Sequence, residues 1–313
     1  MGRRVVILLA CATAVATLPA TLPGGPSADA APSTLITPVQ VLGGPQSTLF
    51  PSSNGTWLIY TTNTVKAPKH WDEMAKNLST GHIVKVNAPG TQGFAGTFDP
   101  GTNTVVYQQA SGRRSNIATF DLDTSSRALM PGVNTPSWEW QPSVSTGYVE
   151  FLRDVGKLTV LLLYNRTTHA IVEVGSEPLK CECLHAGPVG EQWAPFTKCP
   201  KGRCRAYIRS TTSGAVRTAR DISGLPEYFP AVDEATGDVY LVRSGFGCGR
   251  HIRFLKWHIG SLTVSVIATL PPGYDVAPRL SLAPNGSGGT DLLFTRVNCK
   301  TGGYDLYKLP GVA

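Results

Sequence analysis

The residues best suited to meeting another molecule are aromatic, acidic and imidazole side chains that recur just before, or at the start of, short β-type runs. They are Phe94, Trp138, Glu139, Trp140, His185, Glu227, Tyr228, Tyr274 and Asp275. Aromatic faces stack on sugar rings or anchor a peptide, and neighbouring carboxylates accept hydrogen bonds from hydroxyl or amide groups, so the chemistry on offer is recognition. A packing role competes for Trp138 and Trp140, which alternate at strand spacing and can wedge neighbouring sheets apart. Catalysis finds no assembled motif. There is no Gly-x-Ser-x-Gly elbow, no His-Glu-x-x-His and no phosphate-binding glycine loop. His70, His82, His169, His185, His251 and His258 are dispersed, and a solvated or hydrogen-bonded role is the ordinary one for each. Asp121-Leu122-Asp123 opens like a calcium loop but lacks its glycine and closing glutamate, which makes it a turn. The expectation is no catalytic residue, no metal and no cofactor.

Export sets the chemistry of the cysteines. Arg3 and Arg4 precede an apolar run over residues 5–18, and Ala28-Asp29-Ala30 supplies an Ala-x-Ala cleavage site. This is the pattern of a secretory signal over residues 1–30, with a mature chain from Ala31 that is secreted or associated with the cell envelope. Leu8-Leu9-Ala10-Cys11 also resembles a lipoprotein box, but the apolar run before Cys11 is short. No later segment is long and apolar enough to span a bilayer. Beyond Cys11 stand Cys181, Cys183, Cys199, Cys204, Cys248 and Cys299, an even number that reads as disulfides in an oxidising compartment. Cys248 and Cys299 follow equivalent strand ends and are expected to pair. The other four allow three connectivities, of which Cys199–Cys204 across a tight hairpin is preferred. Zinc is the rival, disfavoured because the first pair is Cys-x-Cys and the compartment is oxidising.

A repeat must position these groups. An aromatic residue closes a short β-type run at Tyr60, Tyr107, Phe151, Phe196, Tyr240 and Phe294, at intervals of 44 to 54 residues. A turn pair keeps step with it at Thr80-Gly81, Thr124-Ser125, Thr168-His169, Ser213-Gly214 and Gly260-Ser261. A period of roughly 40 to 50 residues with several short strands per unit predicts an all-β propeller. The expected fold is six four-stranded antiparallel blades at approximately 45–90, 91–135, 136–178, 179–223, 224–271 and 272–311, in one domain over 31–313. Within 91–135 the strands are expected at 91–98, 104–109, 116–121 and 127–130. Residues 69–78 (KHWDEMAKNL) read either as a short helical insertion or as a distorted strand. The last unit lacks an outer strand, and residues 34–42 (TLITPVQVL) are expected to supply it and close the ring, removing an exposed edge.

The unit FDPGTNTVVYQQASGRRSNIATFDLDTSS, with a turn before an apolar strand and an Asp before the Thr-Ser pair, resembles the TolB-like six-bladed propellers. The pattern SGFGCG with RVNCKTGGYDLY is similar to exported propellers of high-GC Gram-positive bacteria. The resemblance covers roughly residues 34–311 and implies protein or ligand binding, with no shared catalytic residues to carry over.

The formal charge of +7 comes from scattered Lys and Arg residues, which argues against nucleic acid as a partner. The expected function is an exported, non-enzymatic propeller that binds a protein, peptide or glycan at the cell envelope or outside the cell, as a monomer. The alternative is a propeller enzyme, a carbohydrate lyase or hydrolase, with its site on the axis. Carboxylates with shifted pKa values on the axis would mark the enzyme, and an aromatic rim would mark binding.

Overall fold

The computed structural model describes residues 35–313 except 45–46, 65–66, 182, 201–202, 220–224, 244–247 and 262. The expected signal segment, its cleavage site and Cys11 lie outside the described residues. Every element among the described residues is a β-strand. Residues 69–78 belong to the strand Ala67–Asn77, not to a helix. Trp71, Glu73 and Ala75 are buried and the residues between them are half-buried, which is the period of two of a strand. The charge of Glu73 inside that alternation is what masked it in the sequence.

Hydrogen bonding arranges the strands as four small sheets and one large, curled sheet. This corrects the expectation of six separate blades. Sheet I holds Thr48–Ser53, Trp57–Thr64, Ala67–Asn77 and Ile83–Lys85. Sheet II is eight-stranded and runs Gln92–Phe98, Thr104–Ser111, Arg114–Asp121, Arg127–Leu129, Trp138–Val144, Tyr148–Val155, Leu158–Asn165 and Ile171–Pro178 in chain order. Sheet III holds Leu184–Ala186, Trp193–Lys198, Arg205–Ser210 and Val216–Arg217. Sheet IV holds Glu227–Asp233, Asp238–Arg243, Ile252–His258 and Val264–Leu270. Sheet V combines Tyr274–Val276, Ser281–Pro284, Thr290–Asn298 and Gly303–Leu309 with Val39–Leu42, the first described strand, which lies antiparallel to Gly303–Leu309.

The join inside sheet II explains the correction. Trp138 bridges in parallel to Ser115, and the buried Ser115 hydroxyl donates to the Glu139 carbonyl at 2.6 Å while accepting from the Gln108 amide at 3.0 Å. A periodic marker reports strands and turns along the chain. It does not report hydrogen bonds between one repeat and the next.

The aromatic marker fills the core. Tyr107, Phe151, Tyr240 and Phe294 are fully buried, and Tyr60 and Phe196 nearly so. Each contributes about 2 kcal/mol of burial to the packing between sheets. One member of each turn pair (Gly81, Ser125, His169, Gly214, Gly260) adopts positive φ, which is why small or polar residues recur there.

The leading strands enclose an axis. Thr48–Ser53 packs on Gln92–Phe98, which packs on Trp138–Val144, which meets Leu184–Ala186. On the other side Glu227–Asp233 packs on Trp193–Lys198 and on Ser281–Pro284, and the latter returns to Thr48–Ser53. Leading strands of sheets I, II and IV carry a register break, with a positive-φ residue at Phe50, Ala95, Gln141 and Phe229. In sheet V the break is complete, and Arg279 occupies it at φ 94°. These bulges turn side chains toward the axis that regular strands would turn away.

Candidate functional site

The axis has two mouths, one where the leading strands begin and one where they end. The sequence candidates gather at the first. Phe94, Trp138, Trp140, His185, Tyr228, Tyr274 and Asp275 are half-buried there. Phe94 meets Trp71 at 6.4 Å, and His185 meets Phe229 edge-on at 5.5 Å. The Arg296 guanidinium lies 4.3 Å from the Tyr274 ring centre, and Trp140 donates to Asp154 at 3.3 Å. Burial drives the His185 imidazole down to about 4, so the ring is neutral at physiological pH. Burial also raises Asp275, against the Val276 N–H that its carboxylate accepts at 2.8 Å.

Two of the nine candidates are structural rather than exposed. Glu139 is completely buried, accepts from Arg153 at 3.0 Å and takes both the N–H and the hydroxyl of Thr135. Glu227 is 1% exposed and accepts from Arg243 at 2.7 Å. Both pairs join a leading strand to its neighbour two residues before the bulge, at Glu139↔Arg153 and Glu227↔Arg243. They brace the first mouth.

Three disulfides brace it further. Cys199–Cys204 sits beside Glu227, whose N–H donates to the Cys204 carbonyl. Cys248–Cys299 clasps the turn before Tyr274, since Gly273 donates to the Cys248 carbonyl and accepts from the Cys299 N–H. Cys181–Cys183 immediately precedes the strand that carries His185.

Sequence reading missed what lies between the mouths. Arg279, 4% exposed, spans the axis and donates to the carbonyls of Ala95 at 2.9 Å and Pro142 at 2.9 Å. Two fully buried carboxylates face it, Glu73 from sheet I and Glu150 from sheet II. Glu73 accepts from the Thr61 hydroxyl at 2.6 Å and from the Gly96 N–H at 3.0 Å, yet burial still raises its carboxyl to about 7. Burial raises Glu150 well above the usual carboxylate range, with Arg279 and Arg209 opposing the shift. It also lowers Arg279 to about 10. A signal for both carboxylates existed. Glu150 stands directly before its aromatic marker, where other repeats place Ile59, Val106, Val239 and Leu293. Glu73 pairs with the residue after its marker, a place filled elsewhere by Ile117, Leu161, Ala206, Leu255 and Leu306.

At the second mouth a cavity of about 320 Å³ descends to Arg279. Asn54, Pro100 and Gly101 form its rim, Phe98, Pro188 and Leu282 its walls, and Ser52, Thr97 and Ser281 its buried polar floor. None of the nine sequence candidates lines it. Among the described residues no group of three or more His, Cys, Asp or Glu side chains is arranged to hold a metal ion.

No protein-family profile matches the chain, and no curated protein matches it. Solved structures do. TolB from Acinetobacter baumannii superposes with a TM-score of 0.55 at 13% identity, over 81% of this chain and 63% of that one. An oligogalacturonate lyase from Vibrio parahaemolyticus gives 0.54 at 11%, over 87% and 84%. The β-propeller domain of the Trilobed protease from Pyrococcus furiosus gives 0.53 at 11%, over 85% and 96%. This chain therefore spans less than two thirds of the Acinetobacter protein. The likeness shows a TolB-like propeller fold, shared by TolB, a lyase and a protease domain, and at these identities it shows the fold alone.

Proposed function

We propose that the protein is an exported binding module whose first mouth recognises a protein, peptide or glycan of the cell envelope. The observation that carries this reading is the set of half-buried rings at one mouth, Phe94, Trp138, Trp140, Tyr228 and Tyr274, on a frame tied by three disulfides and two buried ion pairs. Ring faces left partly open on a stiff frame offer contact area at low ordering cost. The disulfides fit an extracellular or envelope location. Among the described residues no helix is long and apolar enough to cross a membrane. Removal of residues 1–30 by signal cleavage belongs to the same proposal.

A second reading, axial acid–base catalysis, draws on the raised carboxyls of Glu73 and Glu150. Both are fully buried, and neither lines the cavity that reaches Arg279, so the binding reading is preferred. The test is binding to an array of envelope glycans and peptides, comparing the oxidised protein with a Trp138→Ala, Tyr274→Ala double variant. A loss of about tenfold or more in a variant that still melts cooperatively supports the first mouth. Equal binding by both proteins removes it.

A further inference from the structure

Ser52, Thr97 and Ser281 occupy one structural position, two residues beyond the bulges at Phe50, Ala95 and Arg279. Their residues are 8%, 8% and 4% exposed, and all three line the second-mouth cavity. Among the described residues none of their hydroxyls has a hydrogen-bond partner in the chain. Arg279, lining the same cavity, spends one N–H on Ala95 and one on Pro142, and its buried Nε has no partner. A buried guanidinium nitrogen without a partner is costly to leave unpaired, and the three hydroxyl oxygens beside it are not fully enclosed but open into the cavity. Arg279 is also held at φ 94°, further from the helical and extended regions than the equivalent Phe50, Ala95, Gln141 and Phe229 near 50°. Such strain persists where the surroundings enforce it, commonly at ligand sites.

We propose that this cavity is a binding site for a carboxylate group, held by Arg279 and by the hydroxyls of Ser52, Thr97 and Ser281. Its location and its chemistry are independent of the aromatic mouth. The four groups offer donors from three sheets, which suits an acceptor-only oxyanion with two oxygens. A monoanion is favoured over a phosphate dianion because, among the described residues, Arg279 is the only cation lining the cavity and Glu73 and Glu150 stand behind it. The volume suits a small acid or the acidic end of a longer ligand.

The experiment is calorimetric titration of the oxidised protein with N-acetylglycine and its amide, glucuronate and glucose, and inorganic phosphate. The expected result is saturable binding of one or both carboxylates, about tenfold or more tighter than the matching neutral compound. Preference for N-acetylglycine assigns a peptide terminus, and preference for glucuronate a sugar acid. Thr97→Val with Ser281→Ala keeps the side-chain volumes close and is expected to weaken binding about fivefold or more with unchanged melting. Arg279→Lys, where it folds, abolishes binding by losing the planar donor set. Trp138→Ala with Tyr274→Ala leaves carboxylate binding unaltered, so failure here and failure of the aromatic mouth are read separately. Absence of saturation by either carboxylate up to about 10 mM overturns the proposal. So does equal affinity for the neutral partners, tighter binding of phosphate, or a hydroxyl double variant that binds as well as the parent.

Discussion

The two mouths are built by opposite means. At the first, charge is cancelled in pairs, Glu139 with Arg153 and Glu227 with Arg243, disulfides fix the loops, and rings are left partly open. At the second no disulfide intervenes among the described residues, turns of Asn, Pro and Gly form the rim, and the Arg279 Nε is left without an acceptor beside hydroxyls that open into the cavity. A surface meant for broad contact needs stiffness and area, whereas a small polar pocket needs unmet valence. Glu73, Arg279 and Glu150 separate the two mouths, so one end can be altered without reshaping the other.

The largest test of that independence removes a staple. Cys248→Ser with Cys299→Ser opens a loop of 51 residues and is expected to cost about 4 kcal/mol of stability. Hydrogen exchange should accelerate at residues 273–276 and stay slow at 52–54. Equal loosening of both ends would show that the mouths are mechanically one.

The partition itself has a pH signature. Glu73 binds its proton more tightly in the folded state, at about 7 against an ordinary 4.5, so its contribution is full below 4.5 and is lost as pH rises through 7. The loss is about 3 kcal/mol, or roughly 5 to 10 °C in melting temperature between pH 5 and 8. His185 acts in the other direction. Its pKa falls from 6.5 to about 4, so its contribution is full above 6.5 and is lost as pH falls through 4. Glu73→Gln should flatten the alkaline limb and leave the acid limb in place. An unchanged alkaline limb would assign it to other groups.

The smallest expected effect sharpens the same boundary. A methyl group at Gly96 would stand 2.4 Å from the Glu73 carboxylate oxygen, so Gly96→Ala is expected to cost about 2 kcal/mol in denaturant melts. Combined with Glu73→Ala the cost should largely vanish, and a cost that persists would trace it to the bulge backbone instead.

How far the sequence reached differs between the levels of structure. Turn pairs and aromatic markers are local, so the strands expected at 91–98, 104–109, 116–121 and 127–130 appear at Gln92–Phe98, Thr104–Ser111, Arg114–Asp121 and Arg127–Leu129. The joining of two repeats into sheet II depends on one parallel bridge and one serine hydroxyl, which no periodicity carries. The aromatic candidates were found because residue type and strand position both follow the chain. Arg279 was missed because its role depends on carbonyls 137 and 184 residues away. A weaker clue was present in Phe50-Pro51, Gln141-Pro142 and Phe229-Pro230, a residue followed by proline at three of the bulges, whose aligned place is taken by Arg279-Leu280.

The pairing of Val39 with Lys308 has a consequence for the order of events during synthesis. Val39–Leu42 is made about 260 residues before its partner Gly303–Leu309, so sheet V cannot be completed until synthesis has passed that partner strand. Bringing those ends together costs roughly 5 kcal/mol of chain entropy and must follow the local hairpins. The closing sheet thus acts as a clock, and a chain interrupted before residue 303 would hold hairpins without a closed ring.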